Sequence, residues 1–399
     1  MAVQESNPPE GAIADNREPE PSTLLPNPRG HRHRDPAPSA TAAAPSPDRQ
    51  GGRLYALDLL RFIAALTVVL YHYTARGRGW HTSEQALFPN LHSVTVYGWM
   101  GVELFFLISG FVICMSSWGR RVGSFFVSRV TRLFPAYLVA VLLTASVLAK
   151  WPVLGLAYSK DTVLTNLTML ATPLGVQQVD TVYWTLAIEL HFYLLFALVV
   201  WRGLTYQRAV GFCVVWTAAA VFVPTFAPGF AGQILVTQYS AYFVAGIAFY
   251  LMHKYGPNLL LGCIVVVSYV LATHEILGDV DQQRTAAGNQ QSLTIVYGLL
   301  AVFFVLMALI ATGRLSWIRG RWTIALGAVT YPLYLIHQDI GYAVLNRLDR
   351  RVDAHILLIT LILAMIALAW LIHQIVEKPL APKLRRGLRQ SLRTPAELR

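Results

Sequence analysis

The chain has 399 residues, 55% of them apolar and only 13% charged, with a mean hydropathy of +0.48. That balance excludes a water-soluble globular protein of this length and makes lipid the solvent for most of the chain. The formal net charge of +11 does not mark a nucleic-acid binder: the basic residues form no RNA-binding module or basic helix, and instead flank apolar runs as the positive-inside rule expects.

Residues 1–52 are rich in Pro, Ala, Ser and charge, with Pro8-Pro9 and His31-Arg32-His33-Arg34, and carry no apolar segment ahead of a small-residue cleavage site. They predict a disordered Pro/Ala-rich cytoplasmic tail. Residues 53–378 are expected to form a membrane-embedded domain, and 379–399 a second, basic cytoplasmic tail that reads as a membrane-surface flank.

Apolar runs near the roughly 20 residues needed to cross a bilayer fall at 55–74, 97–117, 126–150, 183–201, 208–226, 232–252, 258–274, 291–311, 322–345 and 354–376. They predict an all-α, polytopic transmembrane helix bundle of about ten spans, the first serving as an uncleaved signal anchor. A piece at 163–170 is too brief to cross and is placed at the interface or as a re-entrant segment. Most Lys and Arg fall on one side when both termini are put inside, led by Arg120, Arg121, Arg129, Arg132 and the 378–399 tail. The expected location is the inner (plasma) membrane, multi-pass, with both termini cytoplasmic. Cys114, Cys213 and Cys263 lie in apolar runs without metal-ligand spacing, so neither a disulfide framework nor a metal site is expected.

Ionisable groups inside apolar spans are expensive and ask for a partner, a cavity or a ligand. The first span carries Asp58, Arg61 and His72. Eleven residues advance a helix by about 1100°, close to whole turns, and by roughly 16 Å, so Arg61 and His72 share a face. In the expected orientation Arg61 lies in the inner half with Asp58 one turn below it as a partner, and His72 lies near the outer surface. Glu103 lies just inside Trp99, Glu189 just inside Trp184, and His337 in the outer half of its span. Two carboxylates and two imidazoles at one depth predict a polar cavity opening outward. Glu103 is equally explained by a structural hydrogen bond, and His191, two residues past Glu189, points to another helix face and is read as packing or lipid-facing.

Four segments then resemble the integral-membrane acyltransferase 3 family. They are Leu57 to His72 with its Arg-x10-His spacing, Gly101-Val102-Glu103-Leu104-Phe105-Phe106-Leu107-Ile108-Ser109-Gly110-Phe111, Tyr183-Trp184-Thr185-Leu186-Ala187-Ile188-Glu189 running on to Phe192-Tyr193, and Tyr331-Pro332-Leu333-Tyr334-Leu335-Ile336-His337. The resemblance implies a ten-helix fold that takes acyl-CoA from the cytoplasm as donor substrate, with no bound cofactor, and O-acylates a hydroxylated glycan, lipid or metabolite. It implies donor binding by Arg61 and by Arg129 and Arg132 of the Arg-x-x-Arg segment, which suits a polyanionic CoA because guanidinium binds phosphate bidentately. Asp58, Glu103, Trp184 and Tyr334 are the supporting residues. The chain departs from the family pattern with Glu103 where Asp is frequent and Leu190-His191 where Glu-Gln is frequent, which leaves Glu189 the sole carboxylate of its segment.

Acyl transfer to an alcohol needs a base for the hydroxyl proton and donors for the developing oxyanion. His72 suits the base, since imidazole titrates near neutrality. Glu189 is expected to orient it, and His337 to contact the acceptor or the thioester oxygen. Ser109 sits in no Gly-x-Ser-x-Gly elbow, so direct transfer is expected rather than an acyl-serine. A multi-pass transporter or flippase would use the same buried charges without covalent chemistry, but no inverted repeat or paired broken helices support it.

Overall fold

The computed structural model describes residues 54–152, 158–226, 235–287 and 291–391. The expected N-terminal tail of residues 1–52 lies outside them, as do 392–399 of the C-terminal one. The described residues are helical, with no strand among them. In order they form α1 (Tyr55–Thr74), the short α2 (Glu84–Leu87) and α3 (Pro89–Thr95), α4 (Gly101–Ser117), α5 (Val122–Lys150) and the short α6 (Lys160–Leu167). There follow α7 (Trp184–Trp201), α8 (Tyr206–Phe226), α9 (Thr237–Tyr255), α10 (Leu259–Ala287) and α11 (Leu293–Ala311). The last four are α12 (Arg321–Ile336), α13 (Gln338–Leu348), α14 (Ala354–Ile372) and α15 (Lys378–Ser391).

Eight segments among the described residues are long and apolar enough to cross a membrane: Tyr55–Thr74, Pro89–Ser117, Val122–Lys150, Thr181–Trp201, Tyr206–Val223, Leu259–Arg284, Leu293–Ala311 and Ala354–Ser391. The two other expected spans are helical too, but differ for physical reasons. Helix α9 packs against α4, α8, α10 and α11 and is buried continuously from Tyr239 to Met252. Enclosed by protein rather than lipid, it tolerates the polar Tyr239, Ser240 and Tyr242 that lower its hydropathy. The expected span at 322–345 is divided into α12 and α13 at His337. Pro332 removes one backbone donor from the ladder ahead of the division, and the Tyr73 hydroxyl donates to the His337 carbonyl at 2.6 Å.

Close helix approach positions the elements of the site. An added Cβ on Gly110 of α4 would collide with the carbonyl of Phe243 in α9, and one on Gly246 with that of Leu107. Small residues allow this backbone contact, the usual means of tight association in lipid. Gly101 brings α4 against α1 in the same way, since a Cβ there would stand 2.5 Å from the Ala64 carbonyl. The expected C-terminal tail is helical through Ser391. It follows α14 after a wide turn at His373–Glu377, in which His373 Nδ1 lies 2.6 Å from Glu377 Oε2, and packs along α5 as α15.

Candidate active site

Helix α1 carries Arg61 and His72 three turns apart, and each lines a different cavity. The first, of about 390 Å³, has Arg61, Arg129, Arg132, Glu189 and Arg385 on its wall. Four guanidiniums face one carboxylate there. Arg129 Nη2 donates to Ser128 Oγ at 2.9 Å and Ser116 Oγ at 3.2 Å, and its guanidinium lies 5.9 Å from the Phe125 ring and 5.8 Å from Tyr193. Arg132 lies 5.9 Å from the Tyr331 ring. Aromatic faces thus help hold both arginines in place by cation–π contact, with the donors that the serines do not take left for an anion. One turn below Arg61, Asp58 fits where α12 has no side chain, since a Cβ on Gly327 would stand 2.7 Å from its Oδ1.

The second cavity, of about 1200 Å³, has His72, Trp99, Glu103, Trp184, His191 and Asp279 on its wall. His72 Nδ1 lies 2.8 Å from the Tyr342 hydroxyl. In the tautomer that donates Nδ1–H to this oxygen, Nε2 keeps the lone pair a base requires. The ring of His337 stands 5.1 Å from that of His72. The Nδ1 of His337 is 2.7 Å from the Tyr334 carbonyl, and its Nε2 has no hydrogen-bond partner among the described residues.

The two cavities meet. Val102 and Tyr334 line both of them. The Tyr334 hydroxyl is 2.9 Å from Thr185 Oγ1, and its ring packs 5.6 Å from Phe105.

Three expectations are corrected by this geometry. Glu189 does not support His72: its Oε1 accepts from Ser109 Oγ at 2.8 Å and from the Tyr193 hydroxyl at 2.5 Å, inside the arginine cavity. The depth expected for it took Trp184 as an interface marker. Helix α7 instead begins inside the protein, preceded by the buried Asp180, Val182 and Tyr183, and Trp184 packs 5.6 Å from Tyr239. His337 is fully buried and is not on the wall of either cavity, so it backs His72 rather than meeting a substrate. His191 faces the larger cavity instead of lipid, with Nδ1 2.7 Å from the Ala187 carbonyl.

Other residues of the site carried little sequence signal. Tyr342 follows His337 by five residues in a stretch without a motif, and its contact with His72 joins residues 270 apart in the chain. Asp279 lies beyond the expected end of its span, within an acidic and amide-rich continuation of α10 that was the available clue. A reciprocal cap joins α13 to the start of α7. Asp180 Oδ2 accepts from the Asp339 amide at 3.2 Å, Asp339 Oδ2 from the Thr181 amide at 3.3 Å, and Asp180 Oδ1 from the Val182 amide at 3.2 Å. Burial, and then the neighbouring Asp339 carboxyl, push Asp180 well above the usual carboxylate range.

Fold and cavities define a polytopic helical membrane protein with an arginine-lined chamber and an imidazole-bearing chamber joined at a shared wall. The acyltransferase domain of the acyltransferase 3 family matches residues 54–374, and the chain belongs to that family. It is also similar to the acyltransferase MdmB of Streptomyces mycarofaciens, at 29% identity over 184 residues, which take in 44% of this chain and 46% of that protein. The similarity thus spans less than half of the relative's length. No solved structure matches the chain.

Proposed function

We propose that the protein is an integral-membrane O-acyltransferase, which takes an acyl group from cytoplasmic acyl-CoA in the arginine cavity and transfers it to a hydroxyl of a glycan, glycolipid or glycosylated metabolite in the larger one. The observation that carries this reading is the shared wall: Val102 and Tyr334 line both chambers, and α1 brings Arg61 to one and His72 to the other. Arg61, Arg129, Arg132 and Arg385 supply the fixed cations that a nucleotide's phosphates require. The basic flanks argue for an inner-membrane protein with the arginine chamber and both termini on the cytoplasmic side.

In the reaction, the acceptor hydroxyl gives its proton to His72 Nε2 as its oxygen bonds to the thioester carbon. The C–S bond then breaks, and the CoA thiolate leaves with the proton returned by the imidazolium. The Tyr342 hydroxyl accepts from Nδ1–H of His72, and the Tyr334 hydroxyl on the shared wall is the donor available for the oxyanion, since that of Thr185 donates to the Val182 carbonyl at 3.0 Å. Glu189 offsets charge among the arginines and fixes Ser109 and Tyr193.

The test is to delete the gene and compare envelope glycolipids and secreted metabolites by mass spectrometry. One acylated species should lose its acyl increment, and the wild-type gene should restore it while His72→Ala should not. An unchanged profile, or full rescue by His72→Ala, would overturn the reading.

A further inference from the structure

Proton transfer at His72 leaves two neighbouring carboxyl groups of the larger cavity unused. Glu103 of α4 and Asp279 of α10 both line it, at 2% and 5% exposure. Asp279 Oδ1 accepts from Gln238 Nε2 at 3.0 Å and from the Tyr239 hydroxyl at 3.3 Å. Its Oδ2, and Oε2 of Glu103, have no hydrogen-bond partner among the described residues.

The cations of the same cavity are directed elsewhere. Arg76 Nη1 donates to Gln283 Oε1 at 3.0 Å and to the Tyr71 hydroxyl at 3.4 Å, and Arg78 is exposed. Nor do three His, Cys, Asp or Glu side chains gather to hold a metal among the described residues. Two carboxyl groups withdrawn from water within a membrane domain are costly unless a counter-charge or strong donors meet them. A neutral hydroxyl donates one hydrogen bond and would leave the second of the two oxygens without a donor or a counter-charge. An ammonium group meets both needs through charge-assisted hydrogen bonds. The cavity also presents Trp99, Trp184 and Tyr239, and aromatic faces beside carboxylates are the usual surroundings of a bound amine.

We propose that the Glu103 and Asp279 end of the larger cavity is a subsite for a basic amine carried by the acceptor, an amino sugar or a similar aminated group, which leaves a hydroxyl of the same molecule to face His72. This rests on the acyltransferase reading for the fate of the acceptor, but the amine preference is measurable without any acyl transfer.

The experiment is calorimetric binding to the full-length protein in detergent, with octyl β-D-glucosaminide and octyl β-D-glucoside as probes, at a pH where the amine is protonated. The two probes differ by one amino group in place of a hydroxyl. The aminoglycoside should bind about tenfold more tightly, as expected for one charge-assisted contact. Glu103→Gln and Asp279→Asn, tested singly and with melting curves that establish folding, should each reduce this preference, and the double variant should remove it. Equal affinity for the two probes, no measurable binding of the aminoglycoside, or a preference that survives the double substitution would overturn the proposal. Amine preference in a protein that transfers no acyl group would uphold the subsite and sink the acyltransferase reading. Transfer with no amine preference would do the reverse.

Discussion

Glu189 accepts a hydrogen bond from Ser109 at 2.8 Å, which ties it to the arginine chamber and away from His72. Ser109 lies six residues beyond Glu103 on α4, about 9 Å along the axis at the rise of an α-helix, so the two carboxylates that look level in the sequence serve different chambers. Glu189→Gln removes the sole carboxylate on that wall while keeping one acceptor for Ser109. It should change the apparent affinity for acyl-CoA and leave the pH midpoint of the rate where it is in the wild type. Steady-state kinetics across pH would check this, and a displaced midpoint with unchanged donor affinity would return Glu189 to the support of His72.

Tyr342 touches the proposed base directly, through the 2.8 Å contact with His72 Nδ1. Tyr342→Phe keeps the ring and removes the hydroxyl that meets Nδ1. Loss of one such hydrogen bond costs about 1 kcal/mol, so turnover should fall several-fold with little change in donor affinity. The pH profile should move as well, since Nδ1 would no longer be held. An unchanged profile would make Tyr342 a packing residue only.

Much of this architecture was legible because lipid imposes length and apolarity on every span, and eight of the expected runs satisfy both demands. Helix α9 was placed by its apolar run, although its surroundings of protein were not visible in sequence. The Arg61 and His72 spacing follows from helix geometry alone, and the structure places the two residues in separate chambers. Relative depth was not legible for Glu189, because counting inward from Trp184 assumes that α7 starts at the interface. Nor was the partnership of His72 with Tyr342, which joins residues 270 apart in the chain through tertiary packing. The role of Arg385 on the wall of the smaller cavity was hidden for a similar reason: a basic C-terminal segment is indistinguishable in sequence from a solvated flank until its helix is seen against α5.

The reciprocal cap between Asp180 and Asp339 predicts a pH dependence of stability. Burial and the Asp339 carboxyl raise Asp180 above its ordinary value, so the folded state binds this proton more tightly than the unfolded one. Its contribution is fully present in acid, below the ordinary carboxylate value, and is lost as pH rises through the raised value. The melting temperature of the detergent-solubilised protein should therefore fall as pH rises over that window. Asp180→Asn should lower stability overall by about 1–3 kcal/mol, because one buried amide loses its acceptor, and should flatten this fall. Equal slopes for wild type and variant would rule out Asp180 as the titrating group.

Arg385 reaches the smaller cavity from α15, where Arg129 and Arg132 reach it from α5. With Arg61 they set four guanidiniums against the one carboxylate of Glu189, which makes the cavity cationic. A polyanionic donor would be drawn there and held by whichever guanidiniums reach its phosphates. Hydrogen bonds to charged groups are worth about 1.5–3 kcal/mol, so Arg385→Gln should raise the KM for acyl-CoA by about tenfold or more while turnover at saturation stays near wild type. The Arg129→Gln, Arg132→Gln double variant should raise it further, and both effects should shrink in high salt as screening weakens the field. Arg385 lies on the C-terminal helix and is exposed, so its substitution should leave the melting temperature unchanged, which separates a binding defect from a folding one. A KM that stays at the wild-type value in Arg385→Gln, with the double variant impaired, would confine donor recognition to α5 and reduce α15 to a helix lying along the bundle.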